Sequence, residues 1–424
     1  MLTVFKRKSI WLAILVGTIL IGLFAFAQVG ARSSVKIRHL PVALVVADHG
    51  TQANKVAHQL RRTNSESDAK IKWITVKKTA DLTDGFANSR YYGALVIHNG
   101  FSADLQRQAN YLKGQLITQK LTAMATKQPA VAMTAPFQQQ KQLAKALTAQ
   151  TPQAANVTLY VSQGNNITVA NLLTTALPQL VTHLNQTLTG KYQQVANKAN
   201  LTLTAANWSQ LQTPIKSNLV KRNPVSEKQL SGMAPFIITI LCWIGCLVSS
   251  LINWRDHISH ESRRTDGRLS MTSVTSQLIT GLLIAGGTAL AIYSFVKLIY
   301  GMPIQDSTQF IWLTGGISFV FYLIQTAVLD LAGLKGWPLL LVIWIGSMGV
   351  ITFVPQMLSN FYRQFVYNVT PIHFAYELIN NQLYLQNAPI TGAALTVMMI
   401  IGLSAIVLMY SSTLIKGRQP ATEK

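Results

Sequence analysis

Few residues of this chain have the types and spacing to do chemistry. His49 and His98 each follow a short apolar, β-branched run, Pro41–Ala47 and Tyr92–His98. Those positions are the carboxyl ends of expected strands, where sites of α/β folds sit. Neither histidine has an obvious nucleophile to activate, because the sequence holds no G-x-S-x-G elbow and no H-E-x-x-H. Polar turn residues are the simpler reading. Asp256, His257, His260 and Glu261 crowd together in RDHISHES, but their spacing fits no zinc pattern. Cys242 and Cys246 lie four apart inside an apolar run and read as small helix residues. Nucleotide chemistry fares no better. The nearest glycine-lysine cluster, Gly333-Leu334-Lys335-Gly336, has neither the G-x-x-x-x-G-K-[ST] spacing nor the following hydroxyl. The chain is therefore expected to be no enzyme, with no catalytic, cofactor or metal residues. Any ATP that drives it must be bound by another chain.

The composition says what those residues are embedded in. Of 424 residues 49% are apolar and only 12% charged, with 36 Lys+Arg against 14 Asp+Glu. A soluble domain carries about 25% charged residues, so the deficit excludes a cytosolic enzyme and a disordered chain alike. Six apolar runs approach membrane-spanning length: Ile10–Ala27, Ala234–Trp254, Leu278–Tyr300, Phe310–Ala332, Pro338–Val354 and Ala393–Ile415. A helix is the form in which such a run satisfies its backbone in lipid. The first run reads as an uncleaved anchor. Its Ala25-Phe26-Ala27 also fits a signal-peptidase site, so a cleaved signal stays open. Lys297 and Asp330 are the ionisable groups near span ends; Lys297 can snorkel, and Asp330 reads as a solvated inner helix end.

Placing both termini in the cytoplasm puts eleven Lys/Arg in inner segments and one, Arg363, in the outer connections 301–309 and 355–392. The stretch between the first two spans then faces outward. It is rich in Gln, Asn, Thr and Lys, and residues 32–230 hold 23 Lys+Arg against 7 Asp+Glu. Strand-like runs at 41–47, 71–76, 92–98, 130–133 and 157–162 alternate with helical patterns at 51–62, 80–89, 102–125 and 168–188, with Ser102 as the expected cap of the long helix. Strand–helix alternation predicts an α/β domain. Its basic surface suits membrane lipid headgroups or anionic cell-wall polymers; with no basic–aromatic recognition motif, nucleic acid is not an expected partner.

The expected architecture is an α-helical polytopic membrane protein of six spans with an extracellular α/β domain inserted between spans one and two. Its parts are 1–31 (cytoplasmic N-terminus and first helix), 32–230 (outer domain), 231–415 (five-helix bundle) and 416–424 (cytoplasmic tail). Within the bundle lie an inner loop 255–277 and an outer re-entrant region 355–392, where Pro355 and Pro371 interrupt regular helix around the aromatics Phe361, Tyr362, Phe365, Tyr367 and Phe374.

This layout, and the stretches LPVALVVADHG (40–50), YYGALVIHNGFSADL (91–105), VSQGNNITVAN (161–171) and NPVSEKQLSGMAPFIITILCWIG within 223–254, resemble the YhgE/Pip (phage infection protein) branch of ABC type-2 transporter permeases. Pro224, Val225 and Ser231 to Pro235 match the element that introduces the second span in that family, and Pro355 with Thr370–Tyr376 resembles its outer re-entrant region. The resemblance implies the membrane subunit of an exporter, working with a separate ATPase subunit as a homo- or heterodimer of permeases. On that reading Arg255, Arg263, Arg264 and Arg268 form the candidate ATPase-coupling loop. Pro355, Tyr362, Pro371 and Glu377 form the candidate translocation or outer gate. The alternative is a cell-surface receptor or scaffold that does not transport.

Overall fold

The computed structural model describes residues 15, 17–19, 21–22, 24–202, 204, 208–209, 211–260, 269–385 and 392–414. They form two compact units. One comprises Arg38–Ser162 and Val169–Arg222; the other gathers the described parts of Met1–Ile37, Gln163–Thr168 and Asn223–Lys424.

The first unit is α/β. In chain order it holds β1 (Leu40–Val46), α1 (Thr51–Arg62), β2 (Ile71–Val76), α2 (Leu82–Ala87), β3 (Gly93–Ile97), α3 (Phe101–Lys127), α4 (Ala135–Ala149), β4 (Ala155–Ser162), α5 (Ile167–Lys198) and β5 (Ile215–Arg222). The sheet order is β2-β1-β3-β4-β5. β1 runs parallel to β2 (Leu40 opposite Ile71) and to β3 (Val42 opposite Gly93). β4 is antiparallel to β3 (Leu95 opposite Leu159) and parallel to β5. The central strands β1 and β3 are covered on both faces and so read as unbroken apolar runs. The edge strands β2 and β5 are mostly half-buried or exposed, with Trp73 and Ile215 their buried residues. One face packs Ala43, Val45, Ala94 and Val96 against Leu82, Phe86 and Tyr91. On α1 the buried positions are Ala53, Ala57 and Leu60, a single stripe that leaves the opposite face to solvent.

Three expectations change here. Residues 130–133 form a 3-10 turn rather than a strand, and the adjoining α4 and the edge strand β5 are further elements. Ser102 does not cap its own helix: its hydroxyl accepts from Ala53 N on α1 at 2.9 Å.

The second unit is helical: α6 (Ala234–His260), α7 (Met271–Tyr293), α8 (Ser307–Ala332), α9 (Trp337–Met348), α10 (Pro371–Tyr384) and α11 (Ala393–Ser411). Among the described residues four segments are long and apolar enough to cross a membrane: Ala234–His257, Met271–Ile299, Ser307–Lys335 and Ala393–Leu414, of 22 to 29 residues. At 1.5 Å per residue they reach roughly 33–44 Å, more than the ~30 Å hydrocarbon thickness. The run expected as a fifth span is a helix of only 12 residues, about 18 Å. Beyond Met348 the chain leaves helical geometry, and Val354 is extended (φ −87°, ψ 154°) because Pro355 follows it. Residues 10–14, 16, 20 and 23 of the first apolar run lie outside the described residues; its end forms a π-helical turn, Phe26–Gly30, then Ala31–Ser33.

Small residues let these helices approach. On α7, Ser273, Gln277, Gly281, Ala285 and Ala289 recur every fourth position and are buried. A side chain on Gly281 would collide with the Tyr322 ring of α8. On α11, Ala394, Met398, Gly402, Ala405 and Met409 form the buried stripe. With lipid as apolar as leucine, such close backbone packing, and not water exclusion, holds helices together in a membrane. Leu282, Leu283 and Leu290 face outward instead.

Candidate functional sites

In the α/β unit the crevice between β1 and β3 lies where chain connections leave a parallel sheet in opposite directions, the usual ligand position. Here the chain fills it. The Asp48 carboxylate accepts from Gly50 N at 2.5 Å and from Ser102 N at 2.8 Å, the first turn of α3. Burial pushes this carboxyl up, but the two N–H donors outweigh it and hold Asp48 below the ordinary carboxylate range. A bound anion would compete with Asp48 for the same helix terminus. Any Cβ on Gly50 would meet Ser102, so this approach requires glycine. His98 Nε2 bonds Thr158 Oγ1 at 2.7 Å, and His49 is exposed. The two histidines expected at strand ends thus share no reaction centre. Deeper in the unit, Gln108 is fully buried and donates to Gln153 O (2.6 Å) and Pro214 O (2.9 Å). Tyr192 donates to Gln108 Oε1, and burial pushes its phenol up to about 12.

In the helical unit the candidate gate residues occupy one end of the bundle, with distinct jobs. Pro355 opens a 3-10 turn and Pro371 the first turn of α10, where the missing N–H costs nothing. Tyr362 is buried in a π-helical segment, Tyr362–Tyr367. Its hydroxyl donates to the Phe26 carbonyl at 2.7 Å, and its ring lies 5.2 Å from that of Phe26. The π turn at Phe26–Gly30 displaces the backbone pairing there, and Tyr362 supplies a donor. Gly30 and Gly349 allow this fit: a Cβ on the first would meet the Tyr362 hydroxyl, and on the second the Ala27 carbonyl. Glu377 is the one exposed position of α10; its carboxylate stands 3.8 Å from His373 Nε2. Tyr362 and Glu377 thus make different contacts. One is a clamp on the first helix, the other the free face of α10.

The strongest feature at this end was not legible as a site. Asn380 Nδ2 on α10 donates to Gly164 O at 2.8 Å, and Asn166 Nδ2 donates to Thr352 O at 3.0 Å. Val225 N donates to Gln163 Oε1, and Tyr384 OH to Gln229 O. Gly164 packs against Tyr384, where a Cβ has no room, and Gly232 (φ +98°) packs against Ile167. Residues 163–168, whose QGNN reads from sequence as a turn leading into the long helix, are thus built into the helical unit. The chain before α6 bends sharply to meet them: Leu230, Ser231 and Gly232 all have positive φ. For two L-residues in succession this is a strained turn. Asn166 and Gly164 are signalled in sequence only as polar or small residues inside a stretch that carries the family resemblance, and Asn380 lies outside those stretches.

At the opposite end a polar network joins α6, α7 and α8. Asn253 Nδ2 donates to Tyr322 OH at 2.5 Å, and Tyr322 OH donates to Gln277 O at 3.0 Å. His257 bonds Asn253 O through Nδ1 (2.9 Å) and Ser276 Oγ through Nε2 (3.2 Å). Gln277 Nε2 donates to Asp330 Oδ1 at 3.3 Å. Asp330 is therefore not a solvated helix end: one of its oxygens is buried without a partner. Among the described residues no group of three His, Cys, Asp or Glu could hold a metal ion. Arg255 is exposed on the last turns of α6. Arg263, Arg264 and Arg268 lie outside the described residues.

Comparison with protein families matches residues 7–411 to the family described as "ABC-2 family transporter protein". Comparison with curated proteins and with solved structures gives no match.

Proposed function

Because the chain belongs to the ABC-2 transporter family, we propose that it is the membrane-spanning permease subunit of an ABC-type exporter, powered by a separate ATPase chain and moving an amphiphilic substrate outward. The observation that carries this reading is a family match across nearly the whole chain, joined to four long apolar helices and a sequence without a phosphate cradle. The YhgE/Pip-like branch is the finer assignment supported by the quoted motifs. On this reading the chain crosses the membrane six times, the fifth through the short α9 and the non-helical residues that follow it, with both termini cytoplasmic and residues 32–230 extracellular.

The proposed cycle follows from that placement. Two permeases pair, and closure of two ATPases pushes on loop 255–277 through Arg255, Arg263, Arg264 and Arg268. The loop connects α6 to α7, whose ends are tied together by His257 and Ser276 and to α8 by Tyr322. A push there tilts three helices as one body. At the other end Pro355, Tyr362, Pro371 and Glu377 border the region that must open. Purification of the full chain from its native membrane tests this: an ATPase chain should co-purify, and Arg263→Glu with Arg264→Glu should release it and abolish outward transport. Transport that survives the double substitution, or a preparation that never contains an ATPase, contradicts the reading.

A second reading is favoured by one observation. Residues 38–222 carry 20 Lys+Arg against 6 Asp+Glu, far more cationic than a passive cap needs. A surface receptor or scaffold that binds through this lobe would ignore the Arg263/Arg264 exchange, so the same experiment separates the two.

A further inference from the structure

The exposed face of α1 has no role in the reading above. A groove of about 560 Å³ runs along it, lined by His49, Thr51, Asn54, Lys55, His58, Gln59 and Arg62. Each of those side chains can donate a hydrogen bond, and none is acidic or apolar. The helix itself explains the pattern. Ala53, Ala57 and Leu60 turn inward, and the groove takes the residues left on the opposite stripe at i, i+3 and i+4 spacing.

The loop before α1 divides its labour in the same sense. Asp48, the acid next to the groove, is turned inward onto Gly50 N and Ser102 N, and its neighbour His49 is left outside. The next acids along the chain, Glu66 and Asp68, lie beyond the helix. The Asp48 carboxylate is thus spent on the α3 terminus, where it also bars an anion from the usual crevice of the sheet.

We infer that this face of α1 is a binding site for an extended polyanion bearing phosphate groups, with Lys55 and Arg62 as its charged anchors and Thr51, Asn54, His58 and Gln59 as donors. Length decides against a single ion. The two anchors are seven residues apart, about 10 Å along the axis, and the helix is about 18 Å long. One phosphate cannot engage both ends; a chain of them can. Arginine adds a planar fork suited to phosphate oxygens. The site rests on the reading that the α/β unit is the chain's binding lobe, and it does not depend on whether the chain transports.

The test uses the full chain in nanodiscs of zwitterionic lipid, with polyphosphate as the probe and inorganic phosphate as the single-ion control. Lys55→Glu with Arg62→Glu should weaken polyphosphate binding more than tenfold. Lys141→Glu with Lys145→Glu on α4 makes the same change in net charge at another exposed groove and should weaken it less than threefold. Thermal unfolding of both variants should match the parent, and the milder Lys55→Gln with Arg62→Gln replaces any variant that does not. Equal losses in the two pairs would mean diffuse charge and no site. Binding of inorganic phosphate as tightly as polyphosphate would overturn the extended ligand. Because no step of this assay needs ATP or an ATPase, its failure is separate from failure of the transport reading.

Discussion

The two ends of the helical bundle are built on different chemistry. At the α10 end, irregular backbone is held by side chains that bond main-chain carbonyls: Tyr362 to Phe26, Asn380 to Gly164, Asn166 to Thr352. Neutral amides and hydroxyls do this work, and glycines give them space. At the other end, regular helices are joined through a network that reaches an ionisable group: Asn253, Tyr322, Gln277 and Asp330. Irregular backbone in a membrane needs donors and acceptors from its neighbours, which the first end supplies locally. The second end has its backbone satisfied within helices, so its side chains are free to link one helix to the next. On the proposed cycle the opening end is clamped by separable contacts, and the force-transmitting end is tied as a unit.

The largest expected effect falls on the clamp. Gly349→Ala places a methyl against the Ala27 carbonyl, a backbone atom that cannot yield as a side chain would. A loss of about 3 kcal/mol is expected, read as a fall in the unfolding temperature in detergent. A neutral result would mean the first helix is not seated there. Next comes the linked end. Tyr322→Phe leaves Asn253 without its acceptor and Gln277 O without its donor, at a cost of about 1–2 kcal/mol. Its signature is loss of coupling between ATP hydrolysis and transport at unchanged protein yield.

Smaller still, Asn380→Ala and Asn166→Ala should each cost about 1 kcal/mol. Since both bonds hold residues 163–168, the double substitution should depart from additivity by more than about 0.5 kcal/mol. Strict additivity would show that the loop is not held as one piece.

The smallest effect lies in the α/β unit and fades with acid. Asp48 is held below the ordinary carboxylate range by Ser102 N and Gly50 N. Its contribution is therefore present above that range and is lost as pH falls through its lowered folded value. Asp48→Asn should lower the unfolding temperature slightly at neutral pH and converge on the parent in acid, so that the acid limb of the unfolding profile flattens.

Much of this arrangement was legible in sequence because it rests on periodicity. The α1 range Thr51–Arg62 and the β2 range Ile71–Val76 follow from apolar spacing alone, as do four of the apolar runs. What escaped rests on tertiary partners. The strand β5, IKSNLVKR, is polar because it is an edge, and pattern reading finds no strand in it. The turn 129–133 has β-branched and apolar content but no strand to pair with. Asp330 looks like a helix end by position and is buried because Gln277 of another helix faces it. The loop Gln163–Thr168 looks like any Asn/Gly turn, since the carbonyls and amides it meets lie 186 and 216 residues away in the chain.

The account stands or falls on sidedness. Met133 is 89% exposed in the α/β unit, and both native cysteines are buried. A membrane-impermeant maleimide added to intact cells should label Met133→Cys and leave Arg264→Cys unlabelled until the cells are opened. The reverse pattern would put the basic lobe in the cytoplasm and contradict the proposed exporter.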